Sequence, residues 1–302
     1  MKWAEIAELA IAAVSLGSIY ALMALGLVLV FGILRLINFA YGEFIMIGGY
    51  VMWRLQRMSI GIPWVLEVLL AVVMVVITAL VLERVAFRQV RRSHGPPINL
   101  LLTSFACSAV LQSLVMVLIS PRSKGIQYPP LVSADLTLGP LRIAAFDVMA
   151  MIVGAMALVG LTILLRKTFL GICLRAAADD FTMTRLLGVQ ANRVIASAFA
   201  ISGALAGISS VLYLARIGLV KPDIGLGPVI IAFFASVVGG MESLAGAVVG
   251  GFLLGFLTVG LQVVLPASLL AYREAFTFLI IIVVLLFRPQ GLVPGRHMRE
   301  VR

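Results

Sequence analysis

The sequence predicts an all-α fold, a polytopic transmembrane helical bundle of about eight or nine spanning helices that forms a single domain over residues 1–302. Hydrophobic residues make up 62% of the 302 positions and charged residues only 12%, whereas a soluble domain is nearer half apolar and a quarter charged. Such a chain has too little polar surface to cover itself in water. Apolar stretches of about 20 residues also recur along it, which is the length that a helix needs to cross a bilayer.

Seven segments have the length and composition of a spanning helix, and two are shorter. The clear spans are residues 9–34, 62–82, 98–119, 147–165, 194–214, 247–265 and 276–287. The two short segments, 39–53 and 227–238, are interrupted by glycine, which is tolerated where a segment faces protein or a water-filled path. Nine helices cross if both span (7 + 2), and fewer if either is re-entrant.

Basic residues gather in loops beside the spans, where they set orientation rather than indicate nucleic-acid binding. Fourteen of the 23 basic residues fall on one side if nine helices cross, which makes that side cytoplasmic. The C-terminus is then cytoplasmic and the N-terminus external, although the side of the N-terminus depends on segment 39–53. The fourteen are Arg35, Arg84, Arg88, Arg91, Arg92, Arg166, Lys167, Arg175, Arg185, Arg193, Arg288, Arg296, Arg299 and Arg302.

The predicted cytoplasmic loop at residues 171–193 is long for a connection inside a bundle, and its alanine and leucine content favours helix. Gly188 is placed to end that helix and Asn192 to cap the next one. Two interpretations stay open here: a helix lying at the membrane surface, which composition alone favours, and a docking helix for a soluble partner. Its predicted apolar stripe comprises Leu174, Ala177, Ala178, Phe181, Thr184 and Leu187.

Glu43 is the most suggestive charge at membrane depth, because a carboxylate there should face protein or water. Asn38 is placed to cap the short segment, which puts Glu43 in its first turns, where the helix dipole favours an acid. A capped helix end in which Glu43 pairs with Arg35 or another neighbour is at least as good an interpretation as a role in the translocation path.

Three glycine pairs have the small-xxx-small spacing that lets helices approach closely in lipid. They are Gly203 and Gly207, Gly246 and Gly250, and Gly251 and Gly255. Ordinary packing within one subunit is favoured over a subunit interface or a path lining.

Several absences exclude other functions. No G-x-x-x-x-G-K-[ST] loop occurs, so the chain cannot bind ATP in that way. The two histidines, His94 and His297, lie in polar segments. Cys107 lies in an apolar segment and Cys173 in a polar loop, which predicts neither a disulfide nor a metal site. We therefore expect no enzyme activity, no catalytic residue, no metal and no cofactor.

Three stretches together resemble the permease subunits of high-affinity branched-chain amino-acid ABC transporters, a family that includes amide and urea importers. The first contains GLVLVFGIL at 26–34 and INFAYGEF at 37–44. The second runs from RAAADD at 175–180 through LG at 187–188 to AFAISGALAG at 198–207. The third joins GGMESLAGA at 239–247 to FRPQGL at 287–292. The set spans nearly the whole chain in the expected order.

The resemblance implies that the loop is a coupling segment seated in a cleft of an ATP-binding subunit, which changes the preferred interpretation from a lipid-surface helix to a docking helix. The matching positions are Arg175, Ala176, Asp180, Leu187 and Gly188. It also implies two ATP-binding subunits, a second and usually non-identical permease subunit, a periplasmic or extracellular solute-binding protein, and a bacterial-type plasma membrane.

The chain departs from the family pattern at three positions. Tyr41 stands where histidine is common, Thr184 where alanine is common, and Glu242 where glycine is usual in a cytoplasmic turn. The Glu242 change puts the geometry of that turn in question, although Gly239 and Gly240 remain to form it.

The expected function is ATP-driven import of amino acids, most simply branched-chain ones, by alternating access. The alternative is an ATPase-independent secondary transporter or channel, which predicts several acids or a charged relay within the membrane. Only Glu43 and Glu67 offer themselves for that role in the sequence. Solute identity and the choice between a homodimeric and a heterodimeric permease pair stay open.

Overall fold

The computed structural model describes residues 3–58, 61–93, 96, 98–138 and 141–293. Helices account for most of this part of the chain. Arg296, Arg299, Arg302, His94 and His297 lie outside the described residues. The α-helices are α1 (Trp3–Leu34), α2 (Tyr41–Arg57), α3 (Trp64–Leu82), α4 (Arg88–Arg92), α5 (Ile98–Leu118), α6 (Pro130–Ser133), α7 (Ala145–Lys167), α8 (Phe169–Asp179), α9 (Phe181–Leu186), α10 (Ala191–Ile217), α11 (Leu226–Gly239), α12 (Leu244–Val264) and α13 (Arg273–Phe287).

The remaining elements are short. Strand β1 (Lys124–Gly125) pairs antiparallel with β4 (Leu219–Val220), and β2 (Asp135–Leu138) pairs antiparallel with β3 (Leu141–Ala144). A π-helical turn at Glu83–Phe87 joins α3 to α4, and a 3₁₀ turn at Leu270–Tyr272 precedes α13.

Each of the nine predicted segments contains one helix, which confirms the all-α polytopic prediction. Within the described residues, seven helical stretches are long and apolar enough to cross a membrane. The predicted short segments are short: α11 has 14 residues and α2 has 17, or about 21 and 26 Å at 1.5 Å per residue. Neither equals the roughly 30 Å of a hydrocarbon core.

The chain divides into two compact units. The first comprises Met1–Val28, Tyr128–Ala157 and Ile231–Arg302, and the second comprises Leu29–Gln127 and Leu158–Ile230. Three of the four divisions fall within α1, α7 and α11, and the fourth falls between β1 and α6.

The core of the second unit is formed where α2 and α3 pack against α10. A Cβ added at Gly207 would lie 2.9 Å from the Cα of Val72, so the backbones of α10 and α3 are in close contact. The Ser210 hydroxyl of α10 donates a hydrogen bond to the Ile45 carbonyl oxygen of α2 at 2.7 Å. This bond fixes the crossing of two helices that the hydrophobic effect alone does not hold together in lipid.

In the first unit, α12 is the packing centre. Gly251 and Gly255 lie against the backbone of Ala21 and Gly17 in α1, while Gly246 lies against Gly239 at the end of α11. Together with the packing of Gly203 and Gly207 on α3, these contacts confirm that the small-xxx-small pairs serve helix packing within one chain.

Candidate functional site

The loop at 171–193 folds as two helices rather than one. Thr168 caps α8 by accepting a hydrogen bond from the Gly171 amide at 3.1 Å. Asp180 has an extended backbone, and its Oδ1 accepts a hydrogen bond from the Met183 amide at 2.9 Å. The prediction of a single helix was wrong because the Asp180 side chain competes for a backbone amide, ending α8 and capping α9.

Of the two helix-end residues predicted for this loop, one is confirmed and one was wrong. Gly188 has φ +86° directly after the last helical turn, as a helix-ending glycine should. Asn192 does not cap the next helix: α10 begins at Ala191, and its N-cap residue Gln190 makes no side-chain capping bond.

The two loop helices have distinct faces. Leu174, Ala177 and Thr184 are buried on the side that packs within the chain, because α8 contacts α10. Leu187, predicted to share that stripe, is instead 79% exposed, since the break at Asp180 changes the register. The five predicted coupling residues are all exposed: Arg175, Ala176, Asp180, Leu187 and Gly188.

A contact missed by the sequence analysis ties this loop to the end of α1. The Arg35 guanidinium donates a hydrogen bond from Nη2 to the Ala178 carbonyl oxygen, at 3.1 Å, in the last turn of α8. Arginine at this position satisfies a free helix-end carbonyl and complements the helix dipole. Arg35 also has φ +54°, a conformation that costs roughly 1–2 kcal/mol for a residue other than glycine.

We expect Asp180→Ala to destabilise α9 by about 1 kcal/mol, because the amide that Asp180 caps loses its acceptor. Hydrogen exchange should become several-fold faster at the Met183 amide. Asp180→Asn is the matched control, because asparagine keeps an acceptor oxygen while removing the charge. Equal protection of Met183 in the alanine variant and the native chain would contradict the capping role.

A buried polar cluster occupies the start of α2. Asn38 and Glu43 are each 4% exposed. The Ser108 hydroxyl donates to Glu43 Oε1 at 2.9 Å, whereas Glu43 Oε2 is buried and has no hydrogen-bond partner among the described residues. Asn38 does not cap α2 itself: its Oδ1 accepts from the Ala40 amide at 3.1 Å, and Ala40 is the N-cap residue.

The turn between α11 and α12 is held by the segment that follows α13. The Leu292 amide donates to the Val238 carbonyl oxygen at 2.8 Å, and the Val293 amide donates to that of Gly239 at 3.0 Å. Gly240 takes φ +113°, which suits glycine. The two halves of the third resembling stretch therefore meet in space.

Glu242 does not disturb this turn. Among the described non-glycine residues only Arg35 has a positive φ, so the conformation at Glu242 does not require the glycine that is usual there. Its side chain is exposed.

These features define a polytopic α-helical membrane protein, with a pair of loop helices that are exposed on one face. Residues 9–285 match the family model described as "Branched-chain amino acid transport system / permease component". BraD of Pseudomonas aeruginosa, a high-affinity branched-chain amino acid transport system permease protein, is 34% identical over 299 residues, covering 95% of each chain. LivH of Escherichia coli K12, which carries the same description, is 35% identical over 300 residues with 95% coverage of each chain. A probable LivH of Methanocaldococcus jannaschii is 28% identical over 289 residues, or 93% of this chain and 90% of that protein.

No solved structure matches the chain. The chain belongs to the family of branched-chain amino acid transport system permease components. Like these relatives, it is an integral membrane transport subunit and not an enzyme.

Proposed function

We propose that this chain is the permease of an ATP-driven importer of branched-chain amino acids, and that α8 and α9 form its docking surface for an ATP-binding subunit. The observation that carries the docking proposal is the exposure of all five family-matching loop positions, from Arg175 to Gly188. A helix lying in the lipid surface would direct its apolar stripe outward. Here Leu174, Ala177 and Thr184 of that stripe are buried against the chain itself.

The energy of ATP enters through this surface. When the ATP-binding subunit changes conformation, it moves α8 and α9, which are joined to α10 by the chain and to the end of α1 by the Arg35–Ala178 hydrogen bond. These helices have to move with the loop because a packed core does not deform continuously. Movement of the ends of α1 and α10 opens the path alternately to the two sides.

If this chain forms the path for the solute, other subunits have to supply the energy and the selectivity. We propose two ATP-binding subunits, a second and non-identical permease subunit, and an external solute-binding protein that supplies selectivity. A cytoplasmic C-terminus, α8 and α9 are supported by the positive-inside rule, because fourteen of the 23 basic residues fall on that side when nine helices cross. The membrane is then the bacterial-type inner membrane.

The test is uptake of labelled leucine into vesicles that contain this chain with or without its ATP-binding subunits. We expect uptake only with those subunits, with ATP on their side of the membrane and with the binding protein on the other. Full-rate uptake by the chain alone would overturn the proposal in favour of a secondary transporter or channel. Urea and aliphatic amides, tested in parallel with their own binding proteins, decide the class of solute.

A further inference from the structure

Six basic residues gather at one end of the second unit, where three segments of the chain meet. The segments are the end of α2 with the loop into α3, the loop that contains β1, and the chain from the end of α10 through β4. The described residues of this end are 53–58, 61–67, 120–127 and 216–223. The six basic residues, which we call the basic surface, are Arg54, Arg57, Arg122, Lys124, Arg216 and Lys221. All except the half-buried Lys124 are exposed.

Side-chain contacts hold the end of α2 against the loop that contains β1. Two cations face the same ring: the Arg57 guanidinium carbon lies 5.5 Å from the centre of the Trp53 ring, and Lys124 Nζ lies 5.2 Å from it. Gln56 joins the two segments, because its Nε2 donates to the Gln127 carbonyl oxygen at 2.8 Å and its Oε1 accepts from the Gln127 amide at 3.0 Å. These contacts fix the positions of Arg57 and Lys124 before any partner binds.

Strand pairing adds the third segment, and the acids at this end offset only part of the positive charge. Lys124 of β1 lies opposite Val220 of β4, which brings Lys221 to the same surface. Lys221 Nζ donates to Asp223 Oδ2 at 3.0 Å, and Glu67 is buried. Asp223 and Glu67 are the two acids among the described residues of this end, against six basic residues, so its net charge is +4 (6 − 2).

The basic surface and the docking surface formed by α8 and α9 lie at opposite ends of α10. This helix begins at Ala191, shortly after α9, and ends at Ile217, within the end that carries the basic surface. Its 27 residues extend about 40 Å, which exceeds the roughly 30 Å of a hydrocarbon core, and it is long and apolar enough to cross a membrane. The two surfaces therefore face opposite sides of the membrane, and the basic surface is external in the proposed orientation.

A positive charge on the external side needs a physical reason. Lysine and arginine are concentrated in cytoplasmic loops, and the anionic lipids that attract basic segments give the cytoplasmic leaflet its negative potential. The cations also repel one another, and the attraction of Arg57 and Lys124 to the face of Trp53 offsets only part of that repulsion. An acidic partner would remove the repulsion and use the arrangement that the three segments hold in place.

We propose that the basic surface binds an acidic face of the external solute-binding protein and so docks that protein on the second unit. The proposal rests on the proposed function and adds the site at which this partner docks. A carboxylate of the partner placed between Arg57 and Lys124 compensates both cations with charge-assisted hydrogen bonds. Trp53 and Arg57 are also of the residue types that contribute most to binding at protein interfaces.

The charge acts chiefly on how fast the two proteins meet. Complementary surface charges steer diffusing partners together and raise the association rate, whereas exposed ion pairs add little to the lifetime of the complex. Fast association with a short lifetime suits a binding protein that has to dock, release its solute and leave in every transport cycle.

The first measurement is binding of the leucine-loaded solute-binding protein to the assembled transporter in phosphatidylcholine bilayer discs. We expect Arg57→Glu to weaken binding about tenfold, mainly through slower association, and Arg57→Lys, which keeps the charge, to retain most of the affinity. Lys124→Glu should act in the same direction. Arg142→Glu is the matched control, because Arg142 is an exposed arginine of β3 in the first unit, and binding should stay within about twofold. Higher salt should weaken native binding more than binding by Arg57→Glu.

Uptake separates docking from a structural role. With the binding protein titrated against the transporter in vesicles that contain ATP, Arg57→Glu should raise the concentration for half-maximal uptake about tenfold and leave the maximal rate within about twofold. A lower maximal rate at an unchanged half-maximal concentration would make the basic surface structural and overturn the proposal. Unchanged binding by both Arg57→Glu and Lys124→Glu would also overturn it.

Two further outcomes identify what has failed. A loss of affinity that appears only when the discs contain phosphatidylglycerol would assign the basic surface to lipid headgroups and overturn docking of the binding protein. If the native assembly shows no ATP-dependent uptake at any concentration of the binding protein, the proposed function fails first. Native uptake with unaltered binding by the glutamate variants leaves the proposed function standing and removes only the docking site.

Discussion

Replacing Leu186 and Leu187 together by aspartate is expected to weaken binding of the ATP-binding subunit by about a hundredfold or more. These side chains are 76% and 79% exposed at the end of α9, although leucine is usually buried. Burying each one in a partner's cleft contributes about 1.5–3 kcal/mol, and the pair therefore accounts for about two to four orders of magnitude in affinity. Binding of the purified ATP-binding subunit to the detergent-solubilised permease measures the effect.

The matched control is Met58→Asp. Met58 is 53% exposed in the loop between α2 and α3, on the opposite side of the membrane under the predicted orientation. This substitution introduces one aspartate where the double variant introduces two, and it does not touch the docking surface, so binding should stay within about twofold. Equal binding by the Leu186/Leu187 double variant and the native permease would remove α9 from the docking surface.

Gly42→Val is expected to destabilise the permease by about 3 kcal/mol or more, the upper part of the range for overpacking a tight contact. A Cβ at Gly42 would collide with the Gly225 carbonyl group, and two backbones cannot yield as a flexible side chain can. The same contact holds residues 220–225 against α2, so uptake should be lost together with stability. Size-exclusion analysis after heating in detergent should show unfolding about 10 °C lower than for the native chain.

Gly160→Val is the control for this prediction. Gly160 lies in α7, is exposed, and has nothing within 4 Å of an added Cβ, so the same substitution should shift unfolding by less than about 2 °C. A comparable fall in unfolding temperature for Gly42→Val and Gly160→Val would show that valine destabilises these helices through its own helix propensity, without a role for the Gly42–Gly225 contact.

The positions of the helices could be predicted because lipid leaves few choices. Every backbone amide in a bilayer has to be satisfied within its own segment, so an apolar stretch long enough to span becomes a helix. The nine segments were accordingly found with only their ends displaced, as where α1 begins at Trp3 rather than residue 9. Gly188 was also assignable, since its effect on a helix end is local.

The errors came from local competition that residue spacing does not reveal. Asp180 could serve as an exposed charge within one helix or as a cap between two, and only the backbone conformation distinguishes these. The cap then moved Leu187 from the buried to the exposed face. Asn38 and Asn192 were predicted as caps from residue type, but the helices begin at other residues, Tyr41 and Ala191.

The sequence by itself determined the membrane environment, the helical fold, the family and the loop with the pattern Arg175 to Gly188, because composition, segment length and short motifs are properties of the chain alone. Tertiary structure decided which residues from distant parts of the chain meet: Arg35 with α8, residues 292–293 with the end of α11, and Gly225 with Gly42. The last of these contacts depends on two backbones approaching closely at Gly42 and Gly225. Hydropathy assigns a polar segment such as 220–225 to a loop, and only the tertiary structure shows that its backbone packs on α2 at Gly42.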